Sequence, residues 1–179
     1  MKKIRILVIE DNRLLRDGIV AMINEQEDLR IVAALENQEK VHPKITETKP
    51  DIVLIDLGLQ GKNSLQLVRK IKLDFPEVKI IVMDLLPLQQ DIYEFIKTGA
   101  SGFILKEADV DDFLNTIRLV NKGQKILPTN LTGSLFSQIV THAAKIPKES
   151  GLIRAVRLTK RERQVIELIS DGLTNKEIG

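Results

Sequence analysis

Cysteine is absent from the 179 residues, and aromatic side chains make up only 3% of them. The first absence excludes disulfides, thiol nucleophiles and cysteine-ligated metals, and it is compatible with a reducing compartment. The scarcity of aromatic residues means that the core must be built mainly from Ile, Leu and Val. No apolar run approaches the length of a membrane span, so no transmembrane helix is expected. The proportions of hydrophobic (43%) and charged (29%) residues are those of an ordinary globular chain.

The net charge of +2 is unevenly distributed along the chain. Residues 1–120 hold 17 basic and 20 acidic residues, whereas residues 121–157 hold six basic and one acidic. Positive charge of this kind attracts nucleic acid, but it is equally typical of a solvated linker. Charge alone leaves both interpretations open.

Apolar, β-branched runs alternate with amphipathic stretches over the first two thirds of the chain. The runs are IRILVI (4–9), RIVAAL (30–35), DIVLIDL (51–57), KIIVM (79–83) and GFILK (102–106). Helical spacing appears between and after them, for example at Leu15, Ile19, Met22 and Ile23. Near-continuous apolar strands separated by single helices predict a parallel sheet covered on both faces. The expected fold class is therefore α/β, doubly wound, over a first domain of residues 1–122.

A linker of residues 123–157 and a second, helical segment are predicted to follow. Leu131, Leu135, Ile139 and Ala143 form an apolar stripe that predicts one linker helix. Two threonine and glutamate pairs then match the capping box of a helix start, and a glycine lies where the first helix would end. These residues are Thr159 with Glu162, Thr174 with Glu177, and Gly172. Residues 158–179 are therefore expected to begin a helix-turn-helix.

Charged side chains collect where the predicted strands end. Glu10 and Asp11 follow the first strand, Asp56 lies near the end of the third, Asp84 follows the fourth and Lys106 closes the fifth. Ligands of doubly wound sheets bind at this edge. Clustered carboxylates need a cation, and their hard oxygen ligands favour Mg²⁺ or Ca²⁺. A metal beside a lysine also suits a phosphoryl group, for which Asp56 is the candidate acceptor because Gly58 and Gly61 leave room.

Four segments of the sequence resemble a known family. IRILVIEDN, DIVLIDLGLQG and GASGFILK resemble the receiver domain of two-component response regulators, which implies a flavodoxin-like sheet of order 2-1-3-4-5. LTKRERQVIELISDGLTNKEIG is similar to the start of a LuxR-type helix-turn-helix. The whole chain therefore resembles the NarL/FixJ class of DNA-binding response regulators.

The resemblance implies a role for each site residue. Glu10, Asp11, Asp56 and the carbonyl of Gly58 would hold Mg²⁺, and Asp56 would be the phosphoacceptor. Lys106 would contact the phosphoryl group, and Phe103 would be the aromatic switch residue. The implied partners are a sensor histidine kinase, DNA and a second copy of the chain in a homodimer. The protein would be cytoplasmic, would not interact with a membrane and would not be an enzyme.

Departures from the family pattern raise doubt about the switch. Asp84 replaces a serine or threonine whose hydroxyl donates to the phosphoryl group, and an ionised aspartate cannot donate. Leu85 replaces a small residue, and Gln60 replaces a proline. We therefore expect atypical or phosphorylation-independent switching; a conventional regulator phosphorylated at Asp56 with Mg²⁺ is the alternative.

Two further alternatives belong to different functional classes. A metal-dependent phosphohydrolase would need an acid two positions after Asp56, where Gly58 stands. An interaction module independent of DNA is the other, because residues 1–179 lack the third, reading helix of the LuxR-type domain. Residues 1–179 are therefore not expected to bind DNA sequence-specifically, whereas the intact protein is.

Overall fold

The computed structural model describes residues 3–59, 64–85, 92–129, 132–133, 135–136 and 139. Five strands and five helices alternate in this part of the chain. The strands are β1 (Ile4–Ile9), β2 (Leu29–Leu35), β3 (Ile52–Asp56), β4 (Lys79–Leu85) and β5 (Gly102–Leu105). The helices are α1 (Arg13–Asn24), α2 (Val41–Thr48), α3 (Ser64–Asp74), α4 (Ile92–Thr98) and α5 (Val110–Asn121).

The strands form one parallel sheet in the order β2-β1-β3-β4-β5. This confirms the predicted flavodoxin-like order and the α/β class. The central strand β3 is buried along its whole length, as expected for a strand covered by helices on both faces. The carboxyl ends of β1 and β3 flank the point at which the chain order reverses, which is where such sheets bind ligands.

Side chains alternate between two separate apolar cores. Val53 and Ile55 belong to the core that includes Leu67 and Phe95 of the helices on one face. Their strand neighbours Ile52 and Leu54 belong to the core on the other face, which contains apolar residues of α1 and α5. The period of two along a strand therefore places α1 and α5 together, opposite α2, α3 and α4.

Side-chain caps fix where the two longest helices begin. Asn12 Oδ1 accepts from the amides of Leu14 (3.0 Å) and Leu15 (3.2 Å) and starts α1 immediately after the acidic pair. Asp109 Oδ1 accepts from the amide of Asp112 at 2.8 Å and starts α5. Each cap satisfies amides that have no partner within the helix.

The end of β4 differs from the prediction. Asp84 was expected to follow the strand, but β4 continues to Leu85, because Leu85 pairs with Leu105 of β5. The register shifts between Val82 and Leu85, because β4 contains one more residue than β5 between the two paired positions. Asp84 therefore lies in a β-bulge rather than beyond the strand, and bulges are common next to active sites.

The segment after α5 pairs with the edge of β5. Ile126 forms an isolated parallel bridge with Gly102, accepts from the amide of Phe103 at 3.1 Å and donates to the carbonyl of Ser101 at 3.1 Å. This compact unit extends to Leu135. Phe136 and Ile139 are the described residues of the second unit, and both are helical. The other parts of the predicted linker helix and helix-turn-helix, including Leu131, Ala143 and residues 158–179, lie outside the described residues.

Candidate functional site

Three of the predicted carboxylates come together at the sheet edge. One side-chain oxygen each from Glu10, Asp11 and Asp56 lies within 4.8 Å of the other two. Glu10 is 2% exposed and Asp56 is 5% exposed, whereas Asp11 is partly exposed. Glu10 Oε2 and Asp56 Oδ1 are shielded from solvent. Buried oxygens of like charge at such distances favour a bound cation.

The turn after β1 is held by contacts within the first seven residues that follow the strand. Glu10 Oε1 accepts from the amide of Asn12 at 2.9 Å. The Arg16 guanidinium reaches back from α1 and donates to the carbonyl of Glu10 at 2.6 Å and to that of Asp11 at 3.4 Å. Arg16 therefore fixes the backbone that carries both acids, and sequence analysis did not identify it.

Asp56 is the last residue of β3, one residue before the end of the predicted run, and Gly58 lies against its carboxylate. A Cβ added at Gly58 would lie 3.2 Å from Asp56 Oδ2. This is closer than most side chains approach such an atom, so glycine leaves space beside the carboxylate. The structure thus gives a physical reason for the glycine two residues after the acid.

Ser64 is a second residue that the sequence analysis missed. It is buried at the start of α3, and its Oγ donates to the carbonyls of Asp56 and Leu57, each at 3.1 Å. A serine at a helix start suggests a cap from sequence alone. That its hydroxyl instead binds carbonyls at the end of β3 is a tertiary contact that no local pattern predicts.

Of the other predicted site residues, Lys106 lies nearest to the cluster in the part of the chain that the structure describes, since it shares a cavity with Glu10. Lys106 directly follows β5 and, with Glu10 and Met83, lines a cavity of about 260 Å³ between α1 and α5. Phe103 is buried within β5. Asp84 and Leu85 end β4, but their side chains lie outside the described residues. So do Gln60, Gly61 and all of Thr159, Glu162, Gly172, Thr174 and Glu177.

Protein-family models match both parts of the chain. The response regulator receiver domain matches residues 6–118. The luxR family of bacterial regulatory proteins matches residues 156–179. The first match alone covers more than half of the chain.

Curated relatives span almost the whole chain. The oxygen regulatory protein NreC of Staphylococcus haemolyticus is 31% identical over 175 residues, which are 97% of this chain and 80% of the relative. NreC of Staphylococcus aureus strain MRSA252 shows the same identity and coverage.

Solved structures agree on the fold. A LuxR-family two-component response regulator from Aurantimonas sp. SI85-9A1 has a TM-score of 0.69 at 22% identity, covering 78% of this chain and 99% of that one. The RcsB response regulator of Salmonella typhimurium has a TM-score of 0.70 at 19% identity, covering 99% and 82%. The receiver domain of the NarL regulator of Mycobacterium tuberculosis, at 20% identity and a TM-score of 0.64, covers 69% and 100%.

These matches settle the class of protein. The expectation that the chain is not an enzyme is confirmed, because the family comprises response regulators that act as transcription factors and not phosphohydrolases. Within the part of the chain that the structure describes, none of the helices is long and apolar enough to cross a membrane. The chain belongs to the two-component response regulators, with a receiver domain joined to a LuxR-type DNA-binding domain.

Proposed function

We propose that this response regulator retains the metal and phosphoacceptor arrangement of a receiver but switches atypically, with phosphorylation of Asp56 impaired or bypassed. The observation that supports the first half is the convergence of Glu10, Asp11 and Asp56 within 4.8 Å. The second half is supported by an aspartate in the bulge at the end of β4, where a hydroxyl donor is expected.

The donor set fits a hard divalent cation. Glu10, Asp11, Asp56 and the backbone carbonyl of Gly58 would hold Mg²⁺, which receiver domains in general use for phosphorylation. When bound, the ion supplies positive charge that offsets the charge of a transferring phosphoryl group. Lys106 would add a second positive charge from the end of β5.

In the conventional reaction, an Asp56 carboxylate oxygen attacks the phosphorus of a kinase phosphohistidine. A P–O bond forms, the P–N bond breaks, and the imidazole nitrogen keeps the electron pair. The backbone placement of Asp56 suits this role, since it lies at a strand end with no side chain at Gly58 to cover its Oδ2. Response regulators pair with sensor kinases, and we propose a sensor histidine kinase as the partner here.

Asp84 introduces a charge of the wrong sign for that reaction. Met83 of β4 pairs with Asp56 of β3, and Asp84 is the residue directly after Met83. Two unit charges about 4 Å apart repel by about 4 kcal/mol at an effective dielectric of about 20. An ionised aspartate also cannot donate the hydrogen bond that a serine or threonine would give.

DNA recognition is the proposed output. The family binds DNA through its LuxR-type domain, and the RcsB relative has been solved as dimers bound to DNA. We propose that this protein likewise acts as a cytoplasmic homodimer on DNA. Its signal would reach the dimer through a change in the receiver that does not require phosphate on Asp56.

Phosphorylation assays on substitutions at position 84 test the proposal. With Mg²⁺ and acetyl phosphate, the unsubstituted chain should remain largely unmodified, as measured by intact mass. Asp84→Ser, which restores the donor and removes the charge, should become labelled, and the double substitution with Asp56→Asn should lose that label. Asp84→Ala removes the charge without adding a donor and separates the two effects.

Ready labelling of the unsubstituted chain would support the conventional alternative. That alternative requires the label to be lost in Asp56→Asn and to promote dimerisation, measured by light scattering. Both results together would overturn the proposal of an atypical switch. Light scattering with beryllofluoride in place of acetyl phosphate tests dimerisation without any dependence on the rate of phosphoryl transfer.

A further inference from the structure

Ser64 binds two successive backbone carbonyls, those of Asp56 and Leu57. The serine is 4% exposed, and its Oγ lies 3.1 Å from both the Asp56 carbonyl and the Leu57 carbonyl. A hydroxyl has one hydrogen to donate, so the two carbonyls share it. The start of α3 is thereby tied to the end of β3.

The same peptide is held from β4. The amide of Leu57 donates to the carbonyl of Met83 at 3.2 Å. Leu57 is thus fixed through its amide by β4 and through its carbonyl by Ser64. The contact with Met83 lies immediately before the bulge that contains Asp84.

Gly58 comes next in the chain, so the contacts that hold Leu57 also restrict the position of the Gly58 backbone. Its backbone lies close to the phosphoacceptor, since a Cβ at Gly58 would approach Asp56 Oδ2 to 3.2 Å. The carbonyl of Gly58 is the proposed backbone ligand of Mg²⁺. Its position relative to the three carboxylates therefore depends on the peptide that Ser64 and Met83 hold.

We propose that Ser64 is a positioning residue for the metal site, whose hydroxyl holds the backbone of Asp56, Leu57 and Gly58 in the arrangement that binds Mg²⁺. The inference rests on the proposed metal-binding function. Ser64 does not contact the ion in this proposal; it acts through the backbone. Loss of the hydroxyl should weaken metal binding while the sheet and its cores remain intact.

Calorimetric titration of the 179-residue chain with MgCl₂ tests this role. Ser64→Ala should bind Mg²⁺ about threefold to tenfold more weakly, which corresponds to one net hydrogen bond. Ser64→Thr keeps a hydroxyl and should retain most of the affinity. Ser64→Gly also removes the hydroxyl and gives the same comparison if Ser64→Ala does not fold.

Ser101→Ala is the matched control. Ser101 is also buried, and its Oγ accepts from Lys125 Nζ at 3.3 Å. It directly precedes β5, at the amino end of the strand, whereas the carboxylates lie at the carboxyl ends of the strands. Its substitution should leave Mg²⁺ affinity unchanged even if the thermal stability falls. A general loss of stability therefore cannot account for an effect seen only at Ser64.

Amide hydrogen exchange provides a readout that needs no metal. Ser64→Ala should speed exchange at Leu57 and Gly58, whereas Ser101→Ala should not. Equal Mg²⁺ affinity in Ser64→Ala and the unsubstituted chain would overturn the positioning role of Ser64 but not the metal-binding function. Absence of Mg²⁺ binding in the unsubstituted chain would overturn the metal-binding function and the inference with it.

Discussion

Removing one charge from the carboxylate cluster should stabilise the metal-free protein. Asp56→Asn replaces one of the three acids with a neutral residue of the same shape. Asp56 is buried, and its carboxylate lies within 4.8 Å of side-chain oxygens from both Glu10 and Asp11. The substitution therefore relieves two of the three repulsive pairs in the cluster.

The size of the effect follows from these distances. Two unit charges 4.8 Å apart repel by about 3.5 kcal/mol at an effective dielectric of about 20. Two relieved pairs at this separation give a repulsion of about 7 kcal/mol before screening by solvent and counter-charges. Solvent at Asp11 and the positive charges nearby reduce this strongly, so we expect a net gain of about 1 to 2 kcal/mol.

Urea unfolding in EDTA and in excess MgCl₂ measures both sides of the prediction. In EDTA, Asp56→Asn should raise the free energy of unfolding. In MgCl₂ the unsubstituted chain should gain about 2.7 kcal/mol when the ion is at a hundred times its dissociation constant, because only the folded state holds the site. Asp56→Asn should gain little, so the order of the two stabilities should reverse.

An exposed aspartate on α1 supplies the control. The side chain of Asp17 is 64% exposed and pairs with Arg13 one turn away, so Asp17→Asn should change stability by less than about 0.5 kcal/mol in either buffer. If Asp56→Asn destabilised the protein in EDTA, the reasoning would be refuted, because the cluster would then contribute to folding instead of opposing it.

Other substitutions test packing and charge elsewhere in the receiver domain. Gly102→Ala should destabilise by about 1 to 3 kcal/mol, because its Cβ would lie 2.8 Å from Val120 Cγ2; thermal unfolding measures this, and adding Val120→Ala should recover part of the loss. Gly18→Ala, in α1 with no atom within 4 Å of the new Cβ, should instead stabilise by about 0.5 to 1 kcal/mol. Asp28→Asn should cost at most about 1 kcal/mol at neutral pH, since Arg118 Nε donates to Asp28 Oδ2 at 2.8 Å and holds the pKa of Asp28 below its usual value. A depressed pKa contributes stability above the usual pKa that is lost as the pH falls, so urea unfolding of the two proteins should converge in acid and not in base.

Period and residue type in the sequence were sufficient to predict the sheet. Each strand is an apolar run of β-branched and aliphatic residues, and these runs form strands whose ends differ from the prediction by at most two residues. The one displacement that matters is at β4. Whether Asp84 follows a strand or lies inside it depends on pairing of Leu85 with Leu105 of the neighbouring strand, which is a long-range contact.

The acids of the site were also predictable, because topology brings the ends of parallel strands to one edge. Glu10, Asp11 and Asp56 converge as their positions in the sequence imply. The residues that hold their backbones were not. Arg16 and Ser64 act through main-chain carbonyls, and such contacts leave no residue pattern by which they can be recognised.

The sequence by itself determined the order of elements, the faces of the strands and the acids at their ends, since these follow from local periodicity and from the rules of parallel sheets. Only the tertiary structure decided the distances between the acids, the bulge at Asp84 and the tie from Ser64 to the end of β3. Each of these depends on where separate segments meet, because a hydrogen bond or a charge repulsion is set by distances of a few ångströms that the order of residues does not specify.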